Sequence, residues 1–459
     1  MKSTLLKPEL EELLTRKDYP AIKEFCEEEH PEIVAEMLGS LEIPQIWQVL
    51  TLLTIARRAN IFSRLDEDIQ EELADFISRK DLALIISEMP ADDRVDLLRR
   101  FPEENREPIL SAIAHAERED IRRLFGYKEG TAGAVMTSEY VTLKPNQTVS
   151  EAIAAIRRDA LNKETVYYAY IIDDQRKLIG FVSLRDLILS EPNALIQDIM
   201  HEEVISVKAE EDQEVAARTI QKYDLIALPV VDDNGVLVGI ITHDDAVDII
   251  TQEQTEDMEK LMAITGSHEA EGYMKTSTWD HFKRRVVWII ALAVLGLVSG
   301  SIIHSFEDTL MKLIILTLYL PMLTDTGGNT GSQTATVVIR ALALREVGPK
   351  DFFRILFKEF RVALLLGLVL GVLTFGRVLF LSQNVHIPPG ITLEMIGMAI
   401  AIALGLQVVF SVIVGACLPL LAALMKVDPA VIASPALTTV VDVTGLLIYF
   451  TTTKYILGL

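Results

Sequence analysis

VDPAVIASPALTTVVDVTGLLIYF, residues 427–450, begins beside one aspartate, Asp428, and carries another, Asp442, in the middle of an apolar run. A helix that crosses the ~30 Å hydrocarbon core of a bilayer needs about 20 apolar residues. An ionisable group near the middle of such a helix costs at least a few kcal/mol, so it is a functional candidate by default. Taking the span as 429–453, Asp442 has 13 residues before it and 11 after it. Four more apolar stretches precede it. Residues 286–306 and 395–425 carry no charge, 313–339 carry only Asp325, and 362–386 carry only Arg377. The reading is a membrane domain over 281–459 with five spans, which places the two ends of the chain on opposite sides.

Lysine and arginine in short loops set the orientation. Lys283, Arg284 and Arg285 precede the first span. Arg340, Arg345, Lys350, Arg354, Lys358 and Arg361 crowd the second connection, and Lys426 lies in the fourth. The stretches HSFED and SQNVHIPPGITLE, in the first and third connections, have none. The N-terminus is therefore expected in the cytoplasm and the C-terminus outside a plasma (inner) membrane, with lipid around the apolar half.

The rest of the chain is unlike this. Residues 1–283 hold 57 acids and 31 bases, a net charge of −26. A body so acidic repels nucleic acid, so no nucleic-acid partner is expected, and it attracts cations. Cys26 and Cys417 are the only cysteines, which excludes a disulfide framework. The charged start MKSTLLKPELEELL has no apolar core, so a secretory signal is not expected.

Residues 1–130 read as one short amphipathic helix after another, punctuated by prolines 31, 44, 90 and 102. Such helices pack as a solenoid. From 133 to 250 the pattern becomes α/β and repeats. YIIDD (170–174) is answered by PVVDD (229–233), and KLIGFVSLRDL (177–187) by VLVGIITHDDA (236–246), both at an offset of 59. VMTSEYVTLKPNQTVSEA is answered by DIMHEEVISVKAEEDQEV at an offset of 64. Two βαββα units, 133–195 and 196–250, should pair face to face. The doubled G-h-h-[ST]-x-x-D element, Gly180–Asp186 and Gly239–Asp245, resembles that of a tandem CBS pair. Residues 251–280 read as a polar linking helix.

The membrane residues able to hold an ion offer only oxygen: Asp442, Asp428, Asp325 and Asn329, the last two among glycines 327, 328 and 331. Oxygen ligands suit hard cations such as Mg²⁺, Ca²⁺ or Mn²⁺. Two copies of Asp442 across a twofold axis would neutralise one divalent ion, which favours a homodimer. No nucleophile–base pair, Walker loop or metal-hydrolase motif is present, so an enzyme is not expected.

The whole arrangement resembles the MgtE family of bacterial Mg²⁺ channels. Its sharpest elements are PMLTDTGGNTGSQTATVVIRALALREV (321–347) and the opening stretch. The resemblance implies a pore aspartate at Asp442, an inner-mouth aspartate at Asp428 and a signature asparagine at Asn329. It implies that cytoplasmic Mg²⁺ closes the pore by bridging acidic surfaces at Asp92, Asp96, Asp212, Glu214, Asp224, Asp245, Asp248, Glu256 and Asp257. It also implies ATP at the first CBS copy through Tyr168, Arg185 and Asp186. Arg185 has no counterpart in the second copy, where His243-Asp244 stands, so one nucleotide site per chain is expected. The competing readings are a channel or carrier for another divalent ion (Mn²⁺, Co²⁺ or Ca²⁺) and a Mg²⁺ or nucleotide sensor that conducts nothing. A pure sensor would not need Asp442.

Overall fold

The computed structural model describes residues 10, 12–160, 163–264, 276–344, 346–383, 385, 387–425, 427–429 and 435–459. Arg345, His386, Lys426 and the 265–275 part of the expected linking helix lie outside the described residues. The chain divides into two units, Met1–Glu253 and Gln254–Leu459.

Among the described residues from Tyr19 on, the first unit carries nine short helices: α1 (Tyr19–Glu28), α2 (Pro31–Leu38), α3 (Ile43–Leu50), α4 (Ile55–Phe62) and α5 (Glu67–Phe76), then α6 (Arg79–Glu88), α7 (Ala91–Arg100), α8 (Glu103–Ala112) and α9 (His115–Phe125). Each begins twelve residues after the one before. The prolines fall in register with this period, at N1 or N2 of α1 to α3 and as the residue before α7 and α8. Carbonyls at a helix end and in the turn that follows lack intrahelical donors, and the fourth residue of the next helix supplies them. Arg58 donates to Leu50 O (2.9 Å), Gln70 to Leu65 O (2.7 Å), Arg94 to Met89 O and Arg106 to Phe101 O (2.9 Å).

Two three-stranded sheets follow. In the first copy β1 (Val141–Leu143), α10 (Val149–Asp159), β2 (Tyr168–Ile172), β3 (Leu178–Ser183) and α11 (Leu184–Leu189) form a sheet of order β1-β2-β3. After α12 (Ile196–Ile199), the second copy repeats it with β4 (Val207–Lys208), α13 (Gln213–Tyr223), β5 (Ala227–Val231), β6 (Leu237–Thr242) and α14 (His243–Leu261). In each, the first pair is parallel and the second antiparallel, with a register shift at the matching place. The sheets meet through Tyr140, Tyr170, Ile172, Ala227, Leu237 and Ile240, and Tyr140 donates to Leu237 O at 3.0 Å.

The two copies also exchange their lead-in segments. Thr137 pairs with Ile240 of the other sheet, and His201, its equivalent 64 residues on, pairs with Phe181. Met136 lies where a Cβ on Gly239 would stand, and Met200 is 3.1 Å from a Cβ on Gly180. That contact requires glycine in both motifs.

The linking helix corrects one expectation. It does not start at 251: α14 runs unbroken from His243 to Leu261, so the 250/251 boundary falls within one helix.

The second unit contains α15 (Thr278–Ser305), α16 (Glu307–Lys312), a 3₁₀ turn (Ile314–Tyr319), α17 (Leu320–Ala343), α18 (Phe352–Leu381), α19 (Leu393–Leu424) and α20 (Pro435–Leu457). Among the described residues four helices, α15, α18, α19 and α20, are long and apolar enough to span a membrane. The fifth, α17, is 24 residues long but too rich in Gly, Thr, Asn and Gln to count by composition. It also starts later than 313, because the chain turns through α16 and the 3₁₀ segment before Pro321 enters the first helical turn. The third helix begins at Phe352 and not 362, so its basic end is helical. The last helix is described from Pro435, and residues 430–434 before it lie outside the described residues. Buried α19 carries α17, α18 and α20 against it.

Candidate functional site

Close packing of α17, α19 and α20 sets the level of Asp442. Gln407 on α19 is fully buried and donates to Val441 O at 3.0 Å. A Cβ on Gly327 or on Gly445 would collide with that same Gln407 amide. Beyond Gly327, a Cβ on Gly328 would meet Thr438 and one on Gly331 would meet Leu437, so α17 and α20 run antiparallel. Asp442 follows Val441, which a Cβ on Gly327 would meet at 3.0 Å, and Asn329 lies two residues, about 3 Å of helix rise, beyond that glycine.

The outer face of α17 is polar along its length. Asp325, Asn329, Gln333, Thr336 and Arg340 are all exposed, at spacings that keep them on one stripe. Asn329 donates to Asp325 Oδ1 at 3.1 Å. The exposed face of α18, by contrast, presents Leu364, Leu365, Leu368, Val372 and Leu373, as lipid requires. Asp442 is half-buried. Asp428 lies 3.1 Å from the Lys260 ammonium, which also pairs with Glu256 on its own helix at 2.6 Å. Burial opposes the charge on Lys260, yet these carboxylates raise its pKa.

In the first unit the structure gathers part of the predicted acidic set. Asp92, Asp93 and Asp96 on α7 face Asp245 at the start of α14, with Glu164 beside them. Burial, and then Asp245, Asp93 and Glu164, push the Asp92 carboxyl well above its usual range. Burial also raises Asp93, to about 6, together with Asp96 and Asp245. The Asp96 side chain keeps 61% of its surface in water and has Arg99 at 3.7 Å, so crowding acts on it far less. Arg94 and Glu139 form a 2.9 Å ion pair nearby, with only 10% and 25% of their side chains exposed.

The other acids stand apart. Asp212 accepts from Glu214 N (2.8 Å) at the start of α13, Glu214 pairs with Arg218, and Asp224 ends the same helix in the left-handed region. An 11-residue helix, about 16 Å long, separates Asp212 from Asp224, so one ion cannot touch both within a chain. Asp248 is exposed, and Asp257 is half-buried further along α14. Among the described residues no group of three or more His, Cys, Asp or Glu converges into an inner coordination shell.

At the first CBS copy, Asp186 closes a capping box with Ser183, whose N and Oγ both donate to Oδ2 (3.0 and 2.6 Å). His201 Nε2 lies 3.2 Å from the same oxygen. Burial raises the Asp186 pKa, but the Ser183 bonds and His201 outweigh it and hold the carboxyl below its usual range. Next to it, Tyr168 meets Phe181 edge-on (5.6 Å) and Phe181 stacks on His201 (5.0 Å). Arg185 is exposed on α11. The result is a carboxylate beside aromatic faces.

Sequence reasoning missed Asp93, Glu164, His201 and Lys260. Asp93 is adjacent to Asp92 in PADDRVD, and His201 occupies the repeat position of Thr137, so both had a usable signal. Glu164 and Lys260 had none, since only tertiary packing brings them to the clusters.

Comparison with known proteins agrees with this architecture. The MgtE divalent cation transporter profile matches residues 320–452, the MgtE intracellular N domain 29–130, and the CBS domain 132–191 and 196–252. The magnesium transporter MgtE of Thermus thermophilus is 36% identical over 98% of this chain and 98% of its own. That of Bacillus subtilis is 35% identical over 87% of this chain and 86% of its own. Two solved structures are similar to the first unit. The soluble part of a magnesium transporter is 33% identical, covers 55% of this chain and 99% of its own, and has a TM-score of 0.52. The cytosolic domain of the Mg²⁺ channel MgtE in complex with ATP is 36% identical, covers 53% and 100%, and has a TM-score of 0.51. The apolar helices of the second unit, the paired CBS sheets and relatives matched over nearly their whole length place this chain in the MgtE family of membrane magnesium transporters.

Proposed function

We propose that the chain is a homodimeric Mg²⁺ channel for uptake across the cytoplasmic membrane, closed by cytoplasmic Mg²⁺ and modulated by ATP. The observation that carries this reading is the polar stripe on α17. A membrane helix that turns Asp325, Asn329, Gln333 and Thr336 outward cannot leave them in lipid, where polar groups lack partners. A second copy facing that stripe provides a wet, oxygen-lined path, with Asp442 at the same level. Mg²⁺, the cargo, dehydrates reluctantly and suits one carboxylate per subunit acting through water.

The acidic face of α7 against Asp245 supports the closing signal. Its carboxylates repel at close quarters, and a divalent cation held through water relieves that repulsion. Lys260 on Asp428 supports a closed inner mouth, with an ammonium held at the carboxylate an entering ion would meet. The aromatic faces beside Asp186 suit adenine and ribose hydroxyls, which supports one ATP per chain. The orientation with the N-terminus inside follows from the loop charges.

The test is divalent flux into liposomes containing the purified protein. Asp442→Ala should lower Mg²⁺ flux by about 100-fold or more, since the pore loses its central charge attraction. Wild-type flux in that variant would refute the pore. A panel of Mn²⁺, Co²⁺ and Ca²⁺ checks selectivity, and a requirement for a proton gradient would point to a carrier instead.

A further inference from the structure

A basic cavity stands out within the acidic first unit. Arg99, Arg106, Phe125, Tyr127, Lys128 and Glu129 line an open space of about 530 Å³. It holds three cations and one carboxylate in a half of the chain whose net charge is −26. Both guanidinium groups lie over one ring, Arg106 at 4.8 Å and Arg99 at 5.9 Å from the Phe125 centroid. Cation–π contact of this kind fixes the planes in advance.

Each arginine spends part of its donor set on the fold. Arg106 Nη2 donates to Phe101 O (2.9 Å) and Arg99 O (3.3 Å), and Arg99 Nη1 to Ala134 O (3.4 Å). That accounts for a structural role but leaves a remainder. Arg99 Nη2 and Arg106 Nε are buried without a hydrogen-bond partner, which is costly for a charged donor. Lys128 is exposed at the rim.

We propose that this cavity binds an anion carrying two or more linked phosphoryl groups, at a site separate from the nucleotide site at Asp186. Planar guanidinium groups pair with phosphate oxygens in bidentate fashion, and a lysine serves as a mobile point charge. Glu129 offsets one of the three cations, and the net positive charge that remains attracts a diphosphate more strongly than a monoanion. The volume accommodates a diphosphate with room to spare.

The experiment is equilibrium dialysis of labelled pyrophosphate against the full-length protein in detergent, with EDTA present. The Asp186→Ala background keeps the nucleotide site from supplying the signal. Saturable binding of one pyrophosphate per chain is expected. Lys128→Glu should weaken it about tenfold and Glu129→Gln should tighten it about threefold, the scale of one removed or added close charge. Both positions are exposed, so neither change threatens the fold. ADP that displaces pyrophosphate identifies a nucleotide diphosphate as a source, and ADP that does not identifies a free polyphosphate. No saturable pyrophosphate binding, or binding that both variants leave unchanged, overturns the proposal.

Discussion

The two CBS copies carry the same G-h-h-[ST]-x-x-D element in the same place, yet their aspartates have become chemically opposite. Asp186 and Asp245 each accept from the hydroxyl of the motif's fourth residue, Ser183 and Thr242 respectively. From there the surroundings diverge. Asp186 faces His201 and aromatic rings, and its carboxyl is held low despite burial. Asp245 is crowded by burial and by Asp244 and Asp248, and it faces Asp92 and Asp93 on α7, so its carboxyl is raised. A repeated motif fixes a backbone and a capping bond. The surroundings decide whether the carboxylate meets an imidazole and aromatic rings or other carboxylates.

The largest effect that could break this comparison is on nucleotide binding. Asp186→Ala should weaken ATP binding by about 30-fold or more, on the scale of a charge-assisted hydrogen-bond pair. Asp245→Ala should leave it within experimental error, as read by calorimetry on the full-length protein. Equal losses would mean that the two motifs share one function.

Stability in EDTA sharpens the other side. At pH 8 the acidic face carries more of its repelling charge than at low pH, so Asp92→Asn should raise the melting temperature of the first unit by about 2–4 °C. Asp186→Asn should lower it, because a hydrogen-bonded carboxylate would be lost.

The pH dependence is smaller and has a definite sign. Asp92 and Asp93 have folded-state pKa values above their unfolded ones, so the folded protein binds more protons between those values. Stability must then fall as pH rises from the usual carboxylate range through the raised values, about 6 for Asp93, and it should recover on acidification. Arg64 is a partial counter-charge to Asp93, while Asp96, Asp244, Asp248 and Glu164 add repulsion. Thermal scans between pH 5.5 and 8 should show this slope in wild type and a flatter one in Asp92→Asn. The smallest effect expected is His201→Thr, which gives the first copy the residue of the second and should weaken ATP about threefold, the scale of one exposed contact.

Much of this was legible in the sequence because it is periodic. The offsets of 59 and 64 located both sheets, and runs of uncharged residues located the membrane helices. What stayed hidden depends on which faces meet. The segment around Asp325 stood out for its oxygens and glycines, but which of these residues turn outward, Asp325, Asn329, Gln333 and Thr336, emerges only once its glycines are seen against α19 and α20. Likewise Asp92 and Asp96 were read as one helical face, but their partners Glu164 and Asp245 come from distant stretches that no local pattern connects. The twelve-residue period also escaped notice, because the prolines that mark it occupy only some repeats.

That period turns the N-terminal superhelix into a screw with a fixed thread. The hooks from Arg58, Gln70, Arg94 and Arg106 all reach back five residues, to Leu53, Leu65, Met89 and Phe101, in the turn before their own helix. An isolated helix can lose three or four residues and keep its stripe in line. This body can be shortened or extended only by whole pitches, because any other change strips the hooks on one side of the cut. Its length is quantised in steps of one helix and one turn, so a graft or deletion of one repeat should seat cleanly where a shorter change would not.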